Sequence, residues 1–262
     1  MSFNICVLAS GSKGNATFIA TDKTKILLDA GISCRAIENK LKSIGQKPNE
    51  LDGVLITHCH SDHINGIKTL VNKYNLTVYT SYKNYRHLSA VIGSGKNIVE
   101  LNGNDFFINE VTVSPFDVSH DAPCYGYSLY SFGKKITVMT DMGKITDEIK
   151  QRASNSNILM IESNHDVDKL MSNKRYPAML KNRILSEKGH LSNDLCADTL
   201  KDLITDGGKQ IILAHLSQEN NTPELAYTVT AKALKSCDIT AGKDVKLCVA
   251  SQENISEILT AV

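Results

Sequence analysis

From its N-terminus the chain alternates short apolar runs with turn-forming residues, and the runs have strand length. "FNICVLAS", "ATFIAT" and "KILLDAG" follow one another, with "GSKGN" as turn material between the first two. Over 33–44 the period changes: Ala36, Ile37, Leu41 and Ile44 fall on one helical face, and Gly45 ends it. "DGVLIT" is a compact apolar strand, "INGIKTLVNKY" has helical spacing, and "LTVYT" is a strand again. From 97 to 139 the pattern is mostly that of strands, in "NIVEL", "FFINEVTVSPFDVS", "CYGYSLYSF" and "KKITVMT".

The spacing predicts a helix over 145–153 and a strand at "NILMIE". Positions 169–204 read as helix in two pieces broken at "EKGHLSN", where Ser192 or Asn193 caps the second. "KQIILAHLS" is a strand, Pro223–Lys235 a helix, and "VKLCVA" the last strand. No repeat of fixed period, low-complexity segment or linker interrupts this series. The expectation is one domain over 1–262, of α/β (α+β) class.

Polar residues collect just behind the strands: His58 after "VLIT", His120 after "FDVS", Asp141 after "TVMT", His215 after "IILA". Strand ends that converge on one rim are how such a scaffold builds a site. "ITHCHSDHINGI", at 56–67, puts three of the chain's eight histidines, His58, His60 and His63, within six positions, with Asp62 among them. Imidazole and carboxylate donors suit zinc, manganese or iron. One ion takes three or four protein groups, so this cluster points to two divalent ions side by side, roughly 3.5–4 Å apart as in two-metal hydrolases. His120, Asp141 and His215 are the candidates for the remaining ligands. If the strand runs on, His58 and His60 share a face, and Cys59 turns away as a packed thiol.

Net charge is +1, so no global field draws the chain to nucleic acid or an anionic membrane. The seven cysteines are scattered, with no C-x-x-C pair, which fits reduced thiols in a cytosol. The opening lacks a basic n-region and no apolar stretch reaches spanning length, so a cytoplasmic protein without membrane association is expected. Affinity for phosphate must then be local. Lys169, Lys174, Arg175, Lys181, Arg183 and Lys188 gather just before "GHLS", where Lys174, Arg175, Lys181 and Arg183 are the candidates to receive a phosphate backbone. "SGSKGN" offers backbone N–H groups and the Ser10 or Ser12 hydroxyl for the same purpose. His190, in "GHLS", is a candidate to protonate a leaving oxygen. His165 falls near a strand end, and His87 reads as a surface residue.

"THCHSDH" resembles the H-x-H-x-D-H signature of the metallo-β-lactamase superfamily, and His120, Asp141 and His215 follow in that superfamily's ligand order. "LLDAG", with Asp29, resembles its early motif, in which an aspartate supports the site from behind. The resemblance implies a four-layer αββα sandwich with the metals at one edge. It implies one ion held by His58, His60 and His120, a second by Asp62, His63 and His215, and Asp141 bridging them, with Asp62 orienting a hydroxide shared by the ions. True β-lactamases of this fold carry cysteine where this chain has Asp141, which argues against that activity. "LASGSKGNATFI", "SHDA", "GYSLY", "IESNHD" and "GHLSN" together resemble the bacterial YycJ/WalJ group, although Cys59 stands where that group usually has glutamate. That resemblance implies a metal-dependent phosphodiesterase acting on DNA as a 5′→3′ exonuclease. Two rival readings are a small ester, thioester or lactone hydrolase, with no use for the basic residues, and a regulatory interaction protein linked to a two-component system.

Overall fold

The structure, a computed structural model, describes residues 2–93, 97–204 and 207–262. The first half of the chain forms β1 (Phe3–Ala9), β2 (Ala16–Thr21), β3 (Lys25–Leu28), α1 (Cys34–Ser43), β4 (Gly53–Leu55), α2 (Ser61–Ile64), α3 (Ile67–Tyr74), β5 (Val78–Ser81), α4 (Tyr85–Ile92) and β6 (Ile98–Leu101). Next come β7 (Phe106–Ile108), β8 (Val111–Val118), β9 (Cys124–Ser131), β10 (Lys134–Met139), α5 (Asp147–Ala153) and β11 (Ile158–Glu162). The rest forms α6 (Val167–Ser172), α7 (Ala178–Leu185), α8 (Asn193–Leu203), β12 (Gln210–Ala214), α9 (Pro223–Lys235), β13 (Lys246–Val249) and β14 (Leu259–Thr260).

Among the described residues these strands make two seven-stranded sheets, ordered β14-β1-β2-β3-β4-β5-β6 and β13-β12-β11-β10-β9-β8-β7. Each sheet is antiparallel where short turns join its strands and parallel from β3 to β6 and from β10 to β13. A parallel step needs a crossover, which is why the helices fall where they do. Alternate residues of a strand feed different cores. Ile5 and Val7 of β1 face a central core with Val113, Tyr127 and Val138 of the other sheet, while Cys6 and Leu8 face outward to Ile37, Leu41 and Leu70 of the covering helices. On the far side Ile149, Leu200 and Leu234 cover Met139, Ile161 and Leu213. The layers are helix, sheet, sheet, helix: the αββα sandwich.

Some local expectations change. "VKLCVA" is not the last strand, because the two residues of β14 pair with β1, a length at which no pattern can speak. "INGIKTLVNKY" is not one helix: the Gly66 N–H donates to the Ala30 carbonyl at 2.8 Å, and a Cβ on Gly66 would lie 2.2 Å from the Ile32 carbonyl. The basic segment splits into α6 and α7, since Pro177 is the N-cap of α7 and cannot continue a helix from before it. Ser192, rather than Asn193, caps α8, its side chain accepting from the Leu195 N–H. Finally, β4 stops at Leu55, so strand alternation does not aim His58 and His60. A loop and the first turn of α2 do that instead.

Candidate metal centre

The candidate ligands come from one edge of the sandwich. His58 lies in the loop behind β4, and His60 is the N-cap of α2, its carbonyl accepting from the His63 N–H at 2.9 Å. That turn folds His63 back under the loop. His120 follows β8, Asp141 follows β10, and His215 directly follows β12. Asp29, Asp141 and His215 all have left-handed backbones, with φ of 60°, 59° and 55°. Asp and His tolerate this region better than most side chains, yet each such residue still costs about 1–3 kcal/mol, a strain typical of functional sites.

Among the described residues four overlapping groups of donor atoms result, one of them Asp141, Glu162, His190 and His215; two others correspond to the expected ligand sets. His60 Nδ1 lies 2.9 Å from His58 Nε2 and 3.3 Å from His120 Nε2. In the other group His63 Nε2 is 3.5 Å from Asp62 Oδ2, and His63 and His215 each present Nε2 at 3.3 Å from one oxygen of Asp141. Ligands about 2.0–2.1 Å from a tetrahedral ion stand roughly 3.3 Å from each other, a spacing these hydrogen-bonded and ion-paired atoms already match. Asp141 is buried, and its Oδ2 has no hydrogen-bond partner. A buried carboxylate oxygen is seldom left so, because the desolvation cost of about 1–3 kcal/mol stays uncompensated. Imidazole nitrogens around an under-satisfied carboxylate fit divalent transition metals.

The charges agree. Burial opposes ionisation of Asp141, yet His215 and His63 hold its carboxyl well below the usual carboxylate range. Burial likewise opposes a charge on His63, but Asp141 and Asp29 push its pKa well above the ordinary imidazole value. Asp29 Oδ2 lies 2.7 Å from His63 Nδ1, and Thr57 donates to the same aspartate through its N–H and hydroxyl at 2.9 Å. Asp29 thus stands behind His63, fixing which ring nitrogen faces the centre.

Three residues that sequence reading passed over complete the surroundings. Asn15 donates to Asp62 Oδ2 at 3.3 Å and turns its Oδ1 to His215 Nδ1 at 3.2 Å, tying the first sheet's loop to a ligand from each half. Its only signal was its place in "SGSKGN". Glu162, the last residue of β11, is fully buried and accepts from the Met142 and Leu191 N–H groups at 2.9 and 3.2 Å. Its Oε1 lies 2.7 Å from His190 Nδ1. The His190 ring stands 5.5 Å from that of His120 and stacks on His215 at 5.4 Å, beside the centre as its motif led one to expect. Burial works against its charge, but Glu162 lifts its pKa to about 9. Asp121 places Oδ1 3.4 Å from His60 Nε2 and receives Arg183 Nε on Oδ2 at 2.7 Å.

The other candidates are dispersed. Ser10 is buried and its Oγ accepts from the His215 N–H at 2.8 Å, which ties it to the backbone of a candidate ligand; Ser12 is exposed. Through Asp121, Arg183 reaches the rim. Arg175 instead pairs with Glu219 at 2.8 Å, Lys181 donates to the Met171 carbonyl at 2.6 Å, and Lys174 is exposed. His165 is buried outside the ligand groups, and His87 is exposed on α4. Cys59 is half-buried against the outer core of the first sheet. Among the described residues no helix is long and apolar enough to cross a membrane.

Residues 24–216 match the family model described as a beta-lactamase superfamily domain. The chain is 38% identical over 255 residues to exodeoxyribonuclease WalJ of Streptococcus pneumoniae, an alignment covering 94% of each. It is 39% identical over 240 residues to exodeoxyribonuclease YycJ of Bacillus anthracis, covering 90% of each. Among solved structures, the metallo-beta-lactamase fold protein YhfI of Bacillus subtilis superposes with a TM-score of 0.73 at 14% identity, over 97% of this chain and 98% of that one, a likeness of fold.

If Asp29 orients His63, then Asp29→Asn should weaken zinc binding by about 10–100-fold, the usual effect of removing a ligand's supporting carboxylate. Competition with a chromogenic chelator measures this. Unchanged affinity in a folded variant would remove Asp29 from the centre.

Proposed function

Because the chain belongs to the metallo-β-lactamase superfamily and, within it, to the YycJ/WalJ group, we propose that it is a metal-dependent phosphodiesterase that degrades DNA from an end in the 5′→3′ direction. The observation that supports the chemistry is the buried Asp141 carboxylate, grouped with His58 and His63 on one side and with His215 on the other, one of its oxygens accepting no hydrogen bond. His58, His60 and His120 would hold one divalent ion and Asp62, His63 and His215 another, with Asp141 common to both; zinc, manganese and iron all suit these donors. When bound, the ions lower the pKa of water toward neutrality and neutralise charge on the phosphate.

The chain's own groups do the rest. Burial would raise the Asp62 pKa, but His63 more than offsets it, so the carboxylate stays ionised and, steadied by Asn15, orients the attacking water. Glu162 takes up His190 Nδ1 and keeps the ring cationic at neutral pH, leaving Nε2 to deliver a proton to the departing sugar oxygen. Positions 169–188 hold six basic residues against one acidic residue, Glu187, a local charge of +5 in a chain of +1. A phosphate backbone leaving the centre along α7 would meet that field. The rival small-ester reading draws support from the carboxylate partners that Arg175 and Arg183 already have.

End-labelled double-stranded DNA and bis-p-nitrophenyl phosphate, assayed side by side with zinc and then manganese, separate the two. Replacing Lys174, Arg175, Lys181 and Arg183 together by glutamine should raise KM for DNA relative to the small substrate and flatten the salt dependence, because fewer counterions are released. A variant that degrades DNA like wild type across a salt series would reduce these residues to solvated surface.

His190→Ala should lower kcat on DNA by about 10²–10⁴-fold, the range for lost general acid catalysis, and affect p-nitrophenolate release far less because that group needs no proton. The raised pKa sets the sign: the acid is present at neutral pH and lost on the alkaline side. Wild-type kcat on DNA should therefore fall with rising pH along a limb that His190→Ala lacks. Equal losses on both substrates would make His190 structural.

A further inference from the structure

Strands β10 to β13 run parallel, so the segments that follow them emerge on one rim. Asp141 and His215 follow β10 and β12, and Glu162 ends β11. The segment after β13 belongs to the same rim and has no part in the centre. Between that segment, the residues behind His215 and the start of α9 lies a groove of about 400 Å³. Ser10 lines it and also holds the His215 N–H, so one residue separates the groove from a candidate ligand.

The lining is chemically distinctive. Its apolar part comes from Leu216, Pro223 and Ala250. The rest of the lining is mostly amides and hydroxyls, and its one ionisable side chain is the exposed Glu253. A phosphate would find the Glu253 carboxylate in the lining and no lysine or arginine among the lining residues; Lys40 stands beside them, its Nζ donating to the Glu253 carbonyl. A flat neutral group with apolar faces and a hydrogen-bonding edge matches both surfaces. The groove is also preformed: Gln252 accepts from the Lys13 N–H and donates to the Gly14 carbonyl, each at 2.8 Å, which pins the segment after β13 to the "GSKGN" turn. With that amide occupied, the exposed Gln218 and Asn254 are the side chains left to read a ligand.

We propose that this groove receives the base and deoxyribose of the unpaired terminal nucleotide beside the scissile phosphodiester. The inference rests on the nuclease reading and adds to it the reason for acting at ends. Volumes of roughly 300–1,000 Å³ suit a small ligand, and asparagine and glutamine amides pair well with base edges. A paired duplex cannot enter, so a strand must present a free end.

The test uses the full chain loaded with metal, an oligonucleotide with a single-stranded end, and free thymidine and deoxyadenosine as uncharged probes. Gln218→Leu combined with Asn254→Leu changes only exposed positions, and circular dichroism checks the fold. Its kcat/KM for DNA should fall about tenfold relative to that for bis-p-nitrophenyl phosphate, the effect of losing one or two hydrogen bonds. The salt slope should stay that of wild type, since no phosphate contact is removed. The nucleosides should compete with DNA on wild type and lose that effect on the double variant. An unchanged ratio, or nucleosides that do not compete, overturns the groove while wild-type DNA degradation keeps the nuclease reading. Wild type that hydrolyses the small diester and leaves DNA intact overturns both.

Discussion

A buried carboxylate that the protein does not satisfy sets the terms for this rim. Asp141 is 2% exposed, is held in a left-handed backbone and has one oxygen without a hydrogen bond. His58, His63 and His215 crowd it with nitrogens, and Asp29 adds a second buried carboxylate behind His63. Thr57 and His63 satisfy Asp29, and His215 and His63 lower the Asp141 pKa despite burial, yet one Asp141 oxygen still accepts no hydrogen bond. Cations filling the space between would satisfy it, and the rest of the fold is arranged to hold the donors until they do.

That arrangement explains the division of labour between the sheets. The parallel halves deliver residues from consecutive strand ends to one edge, so Asp141, Glu162 and His215 arrive in register without long loops. The first sheet contributes the compact loop and α2, where three imidazoles and Asp62 are placed by a single turn. Asn15 and Ser10 join the two, since both grip His215 from the far sheet's loop. Glu162 does for His190 what Asp29 does for His63: a buried carboxylate behind an imidazole selects the nitrogen that faces outward.

How much of this was legible follows from distance along the chain. That His58, His60, Asp62 and His63 gather was legible because they lie within six positions and histidine is rare in this chain. His120, Asp141 and His215 were legible as polar residues behind apolar runs, and the αββα layering followed from resemblance to a family. Asn15 and Glu162 were not, because their partners lie 47 and 28 positions away and nothing near them in sequence marks the contact. The bond from the His215 N–H to Ser10 was not legible for the same reason, its partner being 205 positions distant. The helix breaks at Gly66 and Pro177 show the reverse: the breaking residues were visible, but the apolar spacing around them spoke louder than the one tertiary contact or cap that decided the matter.

The central proposal is that one rim holds two cations through a shared Asp141. Metal content of gently purified protein, measured per chain by elemental analysis, tests it most directly. The account predicts two transition-metal ions per chain, falling toward one when Asp62 and His63 are both replaced by alanine. A stable content of one ion in wild type that the double replacement leaves unchanged would contradict it.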